Sequence, residues 1–159
     1  MSVDSPVTII RETRLDPRFP LSRSELGALS VILLDALGLT GRIFELKLVD
    51  DREIARLNSE FLGCTGPTNI LSFPAHEADE AYAEVGDPGD HVFLGELALS
   101  VDALVRETDL YGQLPLEHLA RLLAHGLLHL AGFDHGEIMF DMTDAAVDRV
   151  LDEQLETAE

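Results

Sequence analysis

Tryptophan is absent from this 159-residue chain, cysteine occurs once, at Cys64, and aromatic residues make up 6% of it. A single cysteine excludes an internal disulfide and fits a reducing, cytosolic compartment. Long apolar runs are missing as well. The longest, near Leu29–Leu39, is broken by Asp35 and falls short of the roughly 20 residues that a transmembrane helix needs. Met1–Glu12 lacks the apolar core of about 7–15 residues found in a secretory signal, so neither secretion nor membrane insertion is expected. No repeat period and no low-complexity tract interrupts the chain.

Positive charge is the other scarcity. Lys and Arg number 11 against 30 acids, for a net charge of −19. Phosphate contacts supply most non-specific affinity for nucleic acid, so bulk charge argues against RNA as a partner. The distribution softens that objection. Residues 1–56 hold 8 basic and 9 acidic residues; the remainder holds 3 and 21. The acids concentrate in Glu77–Asp90 and in the segment from Glu137 onward, both most simply read as solvated faces.

What is present is a hydrophobic fraction of 46% with 26% charged residues, enough for one globular domain spanning 1–159. Val7–Glu12 is a β-branched run and Asp16-Pro17 to Pro20 a turn. Ser22 or Ser24 caps a helix that runs through Leu26, Leu29, Ile32, Leu33 and Leu37 to Gly38. Ile43–Val49 alternates as a strand does, and Asp50 or Asp51 caps a helix holding Ile54, Leu57 and Phe61. Gly63–Pro67 is loop. Ile70–Pro74 and Val92–Val101 read as strands separated by Glu77–Asp90. Asp102 starts a short helix ending near Gly112, Pro115 opens a longer one, and a last helix covers roughly Met139–Leu155. The pattern predicts an α/β (α+β) domain with an approximately four-stranded mixed sheet and about five helices.

The chemistry lies in His125-Gly126-Leu127-Leu128-His129-Leu130-Ala131-Gly132-Phe133-Asp134-His135. On a helix, positions i and i+4 share a face, so the imidazoles of His125 and His129 converge. Gly132 is placed to end that helix in a left-handed turn, which lets the chain return His135 as a third nitrogen ligand. Three imidazoles leave one position of a tetrahedral zinc open, as in catalytic sites, and one Zn2+ per chain is expected. A closed structural zinc would need a fourth ligand, for which Cys64 is the candidate. An open zinc lowers the pKa of its water to about 7 and polarises a carbonyl or phosphoryl oxygen.

The histidine spacing is that of metzincin peptidases, but their second position is the glutamate that serves as general base. Here it is Gly126, which argues against peptide hydrolysis. The motif as a whole instead resembles the signature of the YbeY endoribonuclease family of bacterial rRNA maturation factors. Leu57-Asn58 with Pro67-Thr68-Asn69-Ile70-Leu71-Ser72-Phe73-Pro74 is similar to that family's LN…PTNVLSFP segment. Leu94-Gly95-Glu96-Leu97-Ala98-Leu99-Ser100 is similar to its LGDIVIS strand, with Glu for Asp. The blocks fall in the family's order and span about half the chain.

The resemblance implies zinc in a cleft, bound by His125, His129 and His135. It also implies cleavage of single-stranded RNA, maturation of the 16S rRNA 3′ end, and ribosome quality control in the cytoplasm. One departure stands out: the family's arginine, four residues after the LN asparagine, is Leu62 here. Arg121, one turn before His125, is a candidate substitute; the plainer reading is a solvated helix residue. Thr68, Asn69 and Ser72 are candidate groups for binding phosphate or positioning water in the substrate cleft.

His118 shares a face with His125 but lies about 10 Å along the axis at 1.5 Å per residue, too far for a ligand, and surface exposure is expected. Asp134 either orients a ligand imidazole or caps the next turn. His76 and His91 carry no clear signal. Single-stranded rRNA and the ribosome are the expected partners, with no membrane. Two rivals remain: a zinc hydrolase of peptides or small molecules, and a non-catalytic ribosome-assembly factor that holds zinc for structure and binds a protein through its acidic surface.

Overall fold

The computed structural model describes residues 5–14, 19–75, 92–134 and 136–157. His76, His91, His135, the turn at Asp16-Pro17 and the acidic stretch Glu77–Asp90 lie outside the described residues. The elements follow in the order β1 (Val7–Arg11), α1 (Arg23–Ala36), β2 (Arg42–Val49), α2 (Asp51–Leu62), β3 (Ile70–Pro74), β4 (Val92–Ser100), α3 (Val101–Tyr111), α4 (Pro115–Leu130) and α5 (Glu137–Thr157).

Local chemistry decides where the helices begin. Ser22, not Ser24, caps α1: its Oγ accepts the Glu25 N–H at 3.2 Å while the Glu25 carboxylate accepts the Ser22 N–H at 2.9 Å. Asp50 caps α2 by accepting the Glu53 N–H at 2.8 Å. That leaves Asp51 for long-range work: it accepts from Ser100 Oγ at 2.9 Å and from Arg106 at 2.8 Å. The Arg106 hydrogen bond holds the Asp51 carboxyl below its ordinary range. Ser100 rather than Asp102 caps α3, accepting the Ala103 N–H at 3.1 Å, because β4 passes into the helix with no intervening loop. The last helix starts two residues earlier than its apolar spacing suggested, at Glu137.

The strands lie in the order β1-β2-β4-β3. β1, β2 and β4 are parallel, and β3 returns antiparallel along β4 as an edge. Alternation along the strands divides the apolar residues between two layers. Phe44, Leu46, Leu48, Leu97 and Leu99 pack with α1, α4 and α5, while Val49, Leu71 and Ala98 meet Ile54 and Leu57 of α2. The register slips by one residue between Ile43 and Glu45 of β2, a bulge in β4 that lets Leu94 join Leu97 and Leu99 in the first layer. Gly95 occupies that bulge at φ +138°, where a Cβ would stand 2.3 Å from the Phe73 carbonyl oxygen.

Helix α4 is the centre of the larger layer. Between His118 and Leu130 every residue is buried except Arg121, His125 and His129. Each buried leucine contributes roughly 1.5–3 kcal/mol relative to exposure, so α4 is held by its apolar sides and spends only one narrow stripe on anything else. That stripe carries the histidines.

Candidate functional site

The helix that bears the histidines ends as its sequence anticipated. Gly132 takes φ +96°, its N–H donates to the His129 carbonyl at 3.0 Å, and the Phe133 N–H donates to the Leu128 carbonyl at 3.0 Å. These are the two hydrogen bonds of a Schellman turn, which absorbs carbonyls that the helix end would leave unpaired. The same turn places the Phe133 carbonyl oxygen 3.0 Å from His129 Nδ1. A carbonyl can only accept, so Nδ1 carries the proton and His129 presents Nε2 with its lone pair.

His125 and His129 converge as the i, i+4 spacing requires. Their Nε2 atoms are 3.1 Å apart and their rings stand at 82° with centroids 4.5 Å apart. Two nitrogens bound to one tetrahedral zinc at about 2.0–2.1 Å each would be about 3.3 Å apart, so this pair fits one ion without rearrangement. The second partner of His129, the Phe133 carbonyl, is the acceptor that zinc-bound imidazoles ordinarily have on their other nitrogen. The predicted third ligand, His135, lies outside the described residues, and among the described residues no three His, Cys, Asp or Glu side chains gather. Cys64 is exposed in the loop after α2, its Sγ 3.7 Å from the Leu62 carbonyl.

Two clefts meet at His125. One, of about 460 Å³, is lined by Leu62, Thr68, Asn69, Ser72 and both histidines, with Ile70, Leu71 and Pro74 of β3. The structure thus brings all three predicted polar cleft residues beside the histidines. The other, of about 340 Å³, is lined by Arg121, His125, Thr143 and Phe140 among others. Leu62, at 54% exposure, stands where a cation would reach the first cleft. Arg121 stands on the wall of the second, but its guanidinium is bound 2.6 Å from Asp144 of α5.

Gly126 has a packing reason. A Cβ there would lie 2.8 Å from Leu97 Cδ2 and 3.1 Å from Ile70 Cδ1. The position that bears glutamate in metzincins is in this protein a close approach of α4 to the sheet, and Ser72 Oγ donates to the Gly126 carbonyl at 3.3 Å across that contact. Ser72 therefore ties β3 to α4 as well as lining the cleft. Asn58, which is buried, donates Nδ2 to the Gly66 carbonyl at 3.0 Å and so pins the loop that leads to Thr68.

His118 corrects the expectation of surface exposure. It is 5% exposed, its Nε2 lies 2.8 Å from Glu107 Oε1, and its ring stands edge-on to Tyr111. The helical face it shares with His125 is covered at this end by α3, an arrangement that no periodicity within α4 reveals. Its Nδ1 is buried with no hydrogen-bond partner among the described residues. The Glu107 carboxylate only accepts, so the contact is His118 Nε2–H donating to it. Glu107 itself had no signal in the sequence beyond being one more acid on a helix. Asp134, which precedes His135 in the sequence, is exposed.

The α+β domain sets a helix with paired imidazoles against the edge strand of a four-stranded mixed sheet. The chain belongs to the endoribonuclease YbeY family: the family model of that description matches residues 31–150, which contain all three motif blocks. It is 50% identical to the Endoribonuclease YbeY of Oleidesulfovibrio alaskensis, with 87% of this chain and 88% of that protein covered. It is 46% identical to that of Nitratidesulfovibrio vulgaris, over 84% and 88%. The solution structure of TM1509 from Thermotoga maritima has the same fold, with a TM-score of 0.63 at 24% identity over 95% of this chain and 93% of that one.

Proposed function

We propose that this protein is a zinc-dependent endoribonuclease that cuts single-stranded RNA in the cytoplasm and acts in 16S rRNA 3′-end maturation and ribosome quality control. The observation that carries the reading is the 3.1 Å approach of His125 and His129 Nε2 on the wall of the cleft beside β3. Membership of a family named for endoribonuclease activity supplies the substrate class. His125 and His129 would hold the ion, with His135 as the third donor. A zinc ion held there supplies Lewis acidity toward a phosphoryl oxygen.

The chain's own residues do the remaining work. His129 is held in one tautomer by the Phe133 carbonyl. Thr68 and Asn69 offer neutral hydrogen-bonding groups on the cleft wall. Arg121 is the cation nearest the histidines along α4, and its salt bridge to Asp144 keeps it extended toward α5. Among the described residues no Lys, Arg, Asp or Glu lines the groove beside β3, which suits a strand recognised through bases and sugars more than through phosphates.

The test compares the zinc-loaded protein with His129→Ala on single-stranded rRNA fragments and on a casein-type peptide substrate. RNA cut by the wild type alone supports the proposal. Peptide cleavage alone would favour a hydrolase of another substrate class, against which Gly126 argues because it leaves no carboxylate at the general-base position. Inactivity on both, with ribosome binding preserved, would favour a non-catalytic assembly factor.

A further inference from the structure

Asn69 is anchored twice on the junction between β4 and α3. Its main-chain carbonyl accepts the Ser100 N–H at 2.9 Å, and its side-chain Nδ2 donates to Glu107 Oε1 at 3.2 Å. The same carboxylate oxygen is held at 2.8 Å by the ring of His118, whose side chain is 7% exposed. A chain of three polar side chains therefore runs from the interior of α4, through α3, to the cleft that holds His125 and His129. A carboxylate only accepts, so the orientation of the Asn69 amide is set: the nitrogen faces Glu107, and Oδ1 with the second N–H is left for whatever occupies the cleft.

Setting a buried imidazole against a half-buried carboxylate is a costly way to fix a loop that Ser100 already holds by its backbone. Fixing the rotation of one amide is something the backbone contact cannot do. We propose that Glu107 and His118 are positioning residues that hold the Asn69 carboxamide as a neutral hydrogen-bonding contact to the ribose or base of RNA in the cleft. This rests on the endoribonuclease reading above, and it adds two residues to the site that lie on neither the histidine motif nor the cleft wall.

The experiment is a double-mutant cycle on the zinc-loaded protein, reading kcat/KM on a single-stranded RNA and zinc content. Asn69→Ala and Glu107→Ala are each expected to lower kcat/KM about tenfold, with zinc content unchanged, and the double variant to lower it no further. Glu107→Gln, which keeps an acceptor for both neighbours, is expected to retain most of the activity. If Glu107→Ala does not fold, His118→Leu takes its place in the cycle, since it removes the ring nitrogen that holds the carboxylate. Multiplying losses, near a hundredfold in the double variant, or loss in Glu107→Gln equal to that in Glu107→Ala, would overturn the positioning role while leaving RNA cleavage standing. A wild type that cuts no RNA overturns the functional reading itself; the Asn69 Nδ2 resonance, shifted between wild type and Glu107→Ala, then still reports whether the contact exists.

Discussion

His129 Nδ1 and the Phe133 carbonyl oxygen are 3.0 Å apart, so the turn that ends α4 also fixes the tautomer of a candidate metal ligand. The turn depends on Gly132 at φ +96°, a conformation that costs other L-residues about 1–2 kcal/mol. Gly132→Ala should lower stability by about that amount and weaken zinc binding by about 10-fold or more, since loss of an outer partner typically costs 10–100-fold in metal affinity. Competition with a chromogenic chelator measures this; unchanged affinity in a folded variant would show that the carbonyl does not orient the ring.

Removing either imidazole should be more severe. His125→Ala and His129→Ala are expected to lose stoichiometric zinc, and chelation of the wild type should abolish RNA cleavage until zinc is returned. Metal analysis beside the cleavage assay checks both. Full cleavage by a zinc-free protein would remove the metal from the reaction.

Gly126 marks a tight contact between α4 and the sheet. Gly126→Ala should destabilise the fold by about 1–3 kcal/mol, the usual range for overpacking, because Leu97 must move to admit the methyl group. Urea unfolding followed by circular dichroism measures it. For the same reason Gly126→Glu should not confer peptidase activity; a stable, peptide-cleaving variant would contradict the packing account.

Salt dependence tests how the RNA is held. Among the described residues the two clefts present one arginine, Arg121, and it is already paired. With about one phosphate neutralised, a tenfold rise in salt should weaken single-strand binding by about fivefold. Fluorescence anisotropy of labelled RNA reads this out. Losses of a hundredfold or more would mean that several cations elsewhere on the chain engage the backbone. Arg121→Ala should reduce cleavage while zinc stays near stoichiometric, and unchanged cleavage would assign Arg121 to the Asp144 salt bridge alone.

Asp51 carries a pH-dependent part of the stability. Its carboxyl is lowered below the ordinary aspartate range, first by the Arg106 hydrogen bond, so its contribution is complete above about pH 4 and is lost as pH falls through the folded value. Both partners are partly exposed, so Asp51→Asn should cost about 1 kcal/mol or less at pH 7. The difference from wild type should shrink as the pH falls below about 4. A difference that grows on acidification would reverse the sign of the coupling.

Much of this was readable one dimension at a time. Alternation in Ile43–Val49, the caps at Ser22 and Asp50, and the His125–His129–Gly132 spacing are local patterns, and local sterics and hydrogen bonding enforce them wherever the chain goes. Thr68, Asn69 and Ser72 were legible as a cleft only through the family's motif, since nothing in a short polar turn says which helix it will face. The burial of His118 was not legible at all: its own helix put it on the histidine face, and α3, from another part of the chain, covers that end.

Sequence alone therefore settled the elements, two converging imidazoles and the turn that follows them, because each rests on neighbours within about one helical turn. Only the tertiary arrangement decided that Gly126 is a contact rather than a missing base, that Arg121 is tied to Asp144, and that Glu107 links a buried histidine to the cleft. Those facts depend on which elements pack together, and packing is settled by the apolar surface of the whole chain at once.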